Sequence, residues 1–402
     1  MARGVRVLIS TINRDLVGGV ETYLRQVLPL LSGRGHSLGL MHQLDSTPSG
    51  RALDEGAALE ARISVQSSGE EGALQAVRAF RPDVIYQQGL VSPALEARLL
   101  ELAPAVFFAH GYSGTCISGT KRFAVPRWSP CSRTLGVGCL LHYPLRRCGG
   151  LSLVTMQRQY AVQTARRALL RRYRAVAVAS EHMARELSRH GATAKVVRVP
   201  PSWAPLPDAP APRAQTGVVL FAGRLTPEKG LRELARAVER AARELDRRLV
   251  LRVAGAGPEE AWLRARPATG ASRIDCLGWL PPDVLKAEMQ AADVLAMPSV
   301  WPEPFGLSGI EAGGVGLPAV AFPVGGIPEW LEPGVGGELA EGPPASISGL
   351  TAALVRALGD LDHWQALRHG AWRSAHRFSA AAHLDALEPV LLAAAAQARL
   401  HP

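Results

Sequence analysis

Twice along this chain, short apolar runs alternate with segments whose apolar residues recur at helical spacing, and a proline-rich stretch separates the two series. Runs at 5–10, 37–42, 84–87, 105–109 and 175–179 read as buried strands, with helical patterns over 20–31 and 71–80 between them. The second series reads as strands at 218–222, 249–254, 294–297 and 319–322, with helices over 231–245 and 282–292 and another opening at 309–314. Strands that alternate with helices run parallel, because each helix carries the chain back over a sheet face. The pattern predicts an α/β protein with two Rossmann-like domains facing across a cleft, ligands binding at the carboxyl ends of the strands. The expected organisation is a first domain over 1–200 with an insertion near 111–150, a linker at 201–212, a second domain over 213–380 and a last helical segment over 381–402.

Composition fits that reading. A chain of 402 residues, 47% apolar and 20% charged, can bury more than one core. No apolar run reaches the roughly 18 residues that span a bilayer. The start, Met1-Ala2-Arg3-Gly4 and then Val5-Arg6-Val7-Leu8-Ile9, is too quickly polar for a signal peptide and reads as a first strand, so a cytoplasmic location is expected. The net charge is +10, and no acidic residue lies between Glu101 and Glu181. Lys121, Arg122, Arg127, Arg133, Arg146, Arg147, Arg158, Arg166, Arg167, Arg171, Arg172 and Arg174 fall in that gap. Such a field attracts anions, among them the headgroups of an anionic membrane face, or is a solvated basic face. No nucleic-acid motif accompanies it, so no nucleic-acid partner is expected.

Glu303 and Glu311, eight positions apart, frame Glu303-Pro304-Phe305-Gly306-Leu307-Ser308-Gly309-Ile310-Glu311. The segment follows the strand at 294–297, breaks at Pro298 and Pro302, and can start a helix from Gly306. A helix N-terminus after a glycine-containing loop is an anion site, because free amides and the helix dipole point the same way. Eight residues is about two helical turns. One acid can sit in the loop and the other on the helix beside it, which suits a nucleoside diphosphate carrying a hydroxyl-rich group at each end.

The segment resembles the signature of the retaining glycosyltransferases of the GT-B class, family 4. The continuation Ala312-Gly313-Gly314-Val315-Gly316-Leu317-Pro318 and then Gly325-Gly326-Ile327-Pro328-Glu329 is similar too. So is Gly223-Arg224-Leu225-Thr226-Pro227-Glu228-Lys229-Gly230, on the loop after the strand at 218–222. Cations are unfavourable beside a helix N-terminus, so Arg224 and Lys229 there call for an anion nearby. The resemblance implies a GT-B fold whose last helix packs back on the first domain. It implies that Arg224 and Lys229 hold a donor diphosphate, Glu303 the donor sugar and Glu311 the ribose, with Phe305, Gly306, Leu307 and Ser308 lining the donor site. It implies that Gly18 and Gly19, at the start of the first helix, lie against the donor phosphates, and that His110, at the end of the run at 105–109, contacts the donor sugar. The donor it implies is a nucleotide-diphosphate sugar, with UDP expected first and GDP second, and the acceptor it implies is a hydroxyl on a glycan, lipid-linked or small molecule. No cofactor and no metal are implied. One departure is Pro201-Ser202-Trp203 where the family has Asn-Gly-Val-Asp.

Four of five cysteines, Cys116, Cys131, Cys139 and Cys148, cluster in the insertion. No pair has the two-to-four-residue spacing of a zinc knuckle, which leaves a structural zinc, disulfides or buried free thiols as the alternatives. The other functional readings are a nucleotide-sugar hydrolase or epimerase on the same fold, and a non-catalytic binder of nucleotide sugars or anionic membranes.

Overall fold

The computed structural model describes residues 4–46, 50–201, 206–342 and 346–400, the last four by backbone alone. The proline-rich stretch at 201–212 lies partly outside the described residues, at 202–205.

The first half contains β1 (Arg6–Asn13), α1 (Gly19–Gly33), β2 (Ser37–Leu44), β3 (Ala61–Ser64), α2 (Val65–Phe80), β4 (Val84–Gln87), α3 (Pro93–Leu99) and β5 (Ala105–Phe108). An insertion follows, with a short hairpin of β6 (Arg122–Phe123) and β7 (Ser129–Pro130), then α4 (Gly138–Leu145) and α5 (Leu153–Leu169). β8 (Ala175–Val178), α6 (Glu181–Ser188) and β9 (Ala194–Val196) complete it. The seven strands outside the hairpin form one parallel sheet in the order β3-β2-β1-β4-β5-β8-β9. Every residue of β4 and β5 is buried, as expected of strands covered on both faces.

The second half contains β10 (Val218–Ala222), α7 (Leu231–Glu244), β11 (Leu249–Ala254), α8 (Glu260–Arg264), β12 (Ser272–Gly278), α9 (Pro282–Ala291), β13 (Val294–Met297), α10 (Leu307–Gly314), β14 (Ala319–Ala321) and β15 (Gly337–Leu339). Its sheet runs β12-β11-β10-β13-β14-β15. α11 (Ile347–Gly359) and α12 (Leu361–His376) close that half, and α13 (Ala380–Leu400) returns to pack on α1, β4, β5 and β8 of the first sheet. Both expected Rossmann-like sheets are therefore present.

Three differences from the sequence reading have physical causes. The strands β3 and β9 are short edge strands with partly exposed residues, so no long apolar run announces them. α2 starts at Val65 rather than 71, and a non-helical Gly69 at φ +70° hides the continuity of its pattern. Before the run at 175–179, α5 spans Leu153–Leu169 and buries only Met156, Gln163 and Leu169, so its apolar pattern is weak and does not mark its bounds. Taken together, Leu361–Ala396 is long and apolar enough by length and composition to cross a membrane. It is two helices here, and Trp364, Leu367, Leu384, Leu387 and Leu391 on them are buried in the core.

Candidate functional site

In the second sheet the chain reverses direction of growth between β10 and β13, which are hydrogen-bonded neighbours. Connections leave such a pair toward opposite faces, opening a crevice beyond the carboxyl ends. The loops 223–230 and 298–306 both enter it. They touch: Val300 N–H donates to the Glu228 carbonyl at 2.9 Å. Gly230, at φ +69°, makes this possible, since a Cβ there would lie 2.1 Å from the Pro298 carbonyl oxygen. The contact places Lys229 Nζ 2.5 Å from Glu303 Oε1, an oxygen that also accepts the Ser299 hydroxyl. Glu303 is buried, and burial alone would raise its pKa. The Lys229 charge, with hydrogen bonds from Lys229 and Ser299, outweighs this and holds the carboxyl below its ordinary value.

α10 begins at Gly306, at φ +86°, with no side-chain cap and no acidic residue in its first turn. Its first amides, at Leu307 and Ser308, are thus left without a side-chain acceptor at the crevice. Arg224, on the facing loop, is exposed and has no ion-pair partner among the described residues. Glu311 is buried on α10. Phe305 needs correcting as a ligand contact through its ring. The ring is buried 5.5 Å from Phe378, and the Phe305 carbonyl accepts the Trp330 indole N–H, so its part is to anchor the loop. Two cations, an uncapped helix start and a buried carboxylate make a site for an anion carrying hydroxyl groups.

The first sheet faces the crevice with its own reversal, between β1 and β4. Gly18 and Gly19 open α1 there and are exposed; Gly18 caps the helix with no side-chain bond. A Cβ on Gly19 would meet nothing within 4 Å, so nothing inside the chain itself demands glycine at that position. His110 follows β5, with Nε2 2.7 Å from Gln88 Oε1 and its ring against Tyr23 and Phe108. Burial, with the nearby His383, pushes its pKa down to about 3. The ring is neutral at working pH and can exchange hydrogen bonds but not act as a standing charge.

Sequence reasoning missed the contacts that join the halves. Glu329 closes the Gly325-Gly326-Ile327-Pro328-Glu329 run, and its carboxylate accepts the Glu181 and His182 amides of α6 at 2.9 and 2.8 Å and pairs with Arg198. Burial opposes ionisation of Glu329, but Arg198 and the two amides leave its pKa lowered. Tyr112 donates to the Pro302 carbonyl at 2.9 Å, and the Ser180 hydroxyl to that of Pro304. Arg122, from the insertion, reaches Glu228 at 3.4 Å. The glycine-rich spelling of 325–329 was the available signal, but nothing in the sequence names α6 as the partner. Glu329→Ala removes a helix cap and an ion pair together, and is expected to lower stability by about 2 kcal/mol. The folded-state pKa is depressed, so this contribution is present above the ordinary carboxyl range and is lost as pH falls through the folded pKa. Denaturant unfolding of both proteins near neutral pH and in acid measures the difference.

The four insertion cysteines are brought together, lining one cavity of about 20 Å³ with Ile117, Phe123 and His142. All are free thiols, which sets aside the disulfide alternative in this structure. Among the described residues no three His, Cys, Asp or Glu form a group that could hold a metal ion, which leaves the zinc alternative without support. Burial and the neighbouring thiols push Cys148 up to about 12. The chain's Asp-x-Asp pair, Asp360-Leu361-Asp362, starts α12, where Asp360 caps the helix through the His363 amide.

Residues 216–360, which form the second sheet and its helices, match the glycosyl transferases group 1. The match covers this half alone. A D-inositol 3-phosphate glycosyltransferase of Geodermatophilus obscurus is 37% identical over 190 residues, covering 44% of this chain and 40% of that protein. A 2-deoxystreptamine glucosyltransferase of Streptomyces kanamyceticus is 36% identical over 145 residues, 36% of each chain. The chain thus spans well under half the length of these relatives. Over nearly its whole length it superimposes on Anabaena HepE in complex with UDP and glucose, with TM-score 0.66, 18% identity, and 96% of this chain and 99% of that one covered. The fold is GT-B, and the Lys229–Glu303 crevice lies within the group 1 half.

Proposed function

We propose that the protein is a retaining glycosyltransferase that moves a sugar from a nucleotide-diphosphate sugar to an acceptor hydroxyl, without a metal. The observation that carries this reading is the buried Lys229–Glu303 pair set against the uncapped start of α10. A leaving diphosphate gains charge as its bond to the sugar breaks. Arg224, Lys229 and the α10 amides oppose that charge in fixed positions, which lowers the barrier more than it tightens the ground state. Glu303 takes sugar hydroxyls while Lys229 keeps it ionised, and Glu311 takes the ribose hydroxyls. The acceptor oxygen bonds to the anomeric carbon on the face the diphosphate leaves. The carbon–oxygen bond to phosphate breaks, and the acceptor's proton passes to the departing phosphate oxygen. His110, neutral and held by Gln88, contacts the donor sugar. UDP is the first nucleotide to try, given the HepE complex with UDP, and GDP the second.

The test is a thermal-shift panel of UDP, GDP and ADP with their sugar conjugates. A ligand that binds only the folded chain raises its melting temperature by mass action, about 2.7 kcal/mol at a hundredfold excess over Kd. One nucleotide is expected to raise it selectively, and Glu311→Ala to abolish most of that rise. No shift with any nucleotide would overturn the reading and favour a GT-B protein without a donor site.

A further inference from the structure

Among the described residues, twelve large apolar side chains are exposed, and six of them fall within 137–154: Val137, Leu141, Leu145, Leu151, Leu153 and Val154. The other six are scattered singly, which is ordinary for a protein surface. On α4, Val137, Leu141 and Leu145 recur every four residues and so form one stripe along the helix. The opposite face of the same helix is already occupied: Tyr143 is buried, and Cys139 and Leu140 pack against Ile117, Leu135 and Met156. The stripe is therefore surplus to the fold. Leu151, Leu153 and Val154 stand at the beginning of α5, which packs against α4. The turn between the helices is fixed to α4 by the Tyr143 hydroxyl, which donates to the Gly149 carbonyl at 2.6 Å. The six side chains therefore keep their places relative to one another.

Exposed cations flank them. Arg133 sits at the start of α4, Arg147 just past its end, and Arg158 on α5. No carboxylate occurs anywhere from 102 to 180 to oppose them. Glu186 and Glu228, which approach the insertion from other elements, are taken up by Lys121 and by Arg122. Val137 and Val154 are each 78% exposed, so the apolar groups project from a convex tip rather than line a groove. Projecting apolar side chains ringed by arginine suit penetration between anionic headgroups, not the seating of a peptide or helix.

We propose that the α4–α5 tip docks the protein on an anionic bilayer surface, with Val137, Leu141, Leu145, Leu151, Leu153 and Val154 entering the interface and Arg133, Arg147 and Arg158 meeting the headgroups. The same insertion reaches the crevice through Tyr112 and Arg122. If the glycosyltransfer reading above holds, on which this one consequence rests, docking brings the crevice to acceptors carried by the membrane.

The experiment is co-sedimentation of the full chain with phosphatidylcholine vesicles, with and without phosphatidylglycerol. The parent is expected to sediment with the anionic vesicles and to remain in solution with the neutral ones. Leu141→Ser with Val154→Ser is expected to weaken partitioning by about tenfold or more. Arg147→Glu with Arg158→Glu removes two attractions worth about fivefold each and adds repulsion, so a loss above about twentyfold is expected. Unchanged melting temperatures show that both variants are folded. Variants that sediment like the parent, or a parent that ignores anionic vesicles, overturn the proposal. So does a concentration-dependent dimer that the same variants abolish in the absence of vesicle binding, since the tip would then join two copies. Glu303→Gln is expected to sediment like the parent, so failure of the donor reading leaves this result standing.

Discussion

Lys229→Ala is expected to lower turnover on a nucleotide-sugar donor by about a hundredfold or more, the range for removing one fixed charge-stabilising donor. The same change leaves Glu303 buried without its cation. Breaking a buried pair on one side costs about 3–5 kcal/mol when the remaining charge is kept. The carboxyl can avoid part of that cost by taking a proton, and this gives the prediction a sign. In the parent, Glu303 has a folded pKa below its ordinary value, so its contribution is present above the unfolded pKa and lost as pH falls through the folded one. Without Lys229 the Ser299 hydrogen bond is left to oppose burial, and the folded pKa is expected to rise above its ordinary value. The contribution is then present below the unfolded pKa and fades as pH rises. Unfolding measured from pH 4 to 8, with turnover, separates a charge-placing lysine from a merely structural one. A variant with near-parent turnover and the parent's pH trend would remove Lys229 from the site.

The second large effect is expected at a residue that touches no substrate in the proposed mechanism. Gly325 stands at φ +63°, and a Cβ there would lie 2.0 Å from the Glu303 carbonyl oxygen and 2.4 Å from its amide nitrogen. Both neighbours are backbone, so neither can step aside as a side-chain tip could. Gly325→Ala is expected to lower stability by about 2–4 kcal/mol, combining left-handed strain with overpacking. The relief available is movement of the Glu303 loop, so turnover should fall by about tenfold or more even where the variant is fully folded. The measurement is kcat at a temperature well below the variant's own melting point. Gly334→Ala, also at positive φ but with nothing within 4 Å of its Cβ, controls for backbone strain alone.

The fold was largely legible because its strands are buried on both faces. Stretches such as Val294–Met297 and Leu249–Ala254 read as strands with the bounds they have in the structure. Edge strands were not legible, since β3 and β9 alternate too little and bury too little. The position of Glu303 on a loop between strand and helix followed from Pro298, Pro302 and Gly306. Its pairing with Lys229 did not, because that depends on Gly230 letting two loops touch, a fact of three dimensions. The same holds for Glu329, whose partners Glu181, His182 and Arg198 lie more than a hundred residues away. For Phe305 the motif pointed to a ligand while the ring points into the core: a conspicuous aromatic beside an acid looks the same in sequence whether it binds or anchors. For the cysteines the clustering was plain in the sequence, but their irregular spacing did not say that four thiols share one cavity.

The return of α13 has a mechanical consequence. The polypeptide passes between the two sheets once around 197–217 and again at 377–380, and just beyond the second passage His383 is fastened to the Tyr23 hydroxyl at 2.9 Å and to the Arg198 carbonyl at 2.8 Å. A body attached at two points turns freely only about the line that joins them. Any widening of the crevice is therefore a door swinging on a pair of hinges rather than a lid on a string, and the swing must first release Glu329 from Arg198 and α6. The same swing must part the Glu303 loop from the first half, where Tyr112 holds the Pro302 carbonyl and Ser180 that of Pro304.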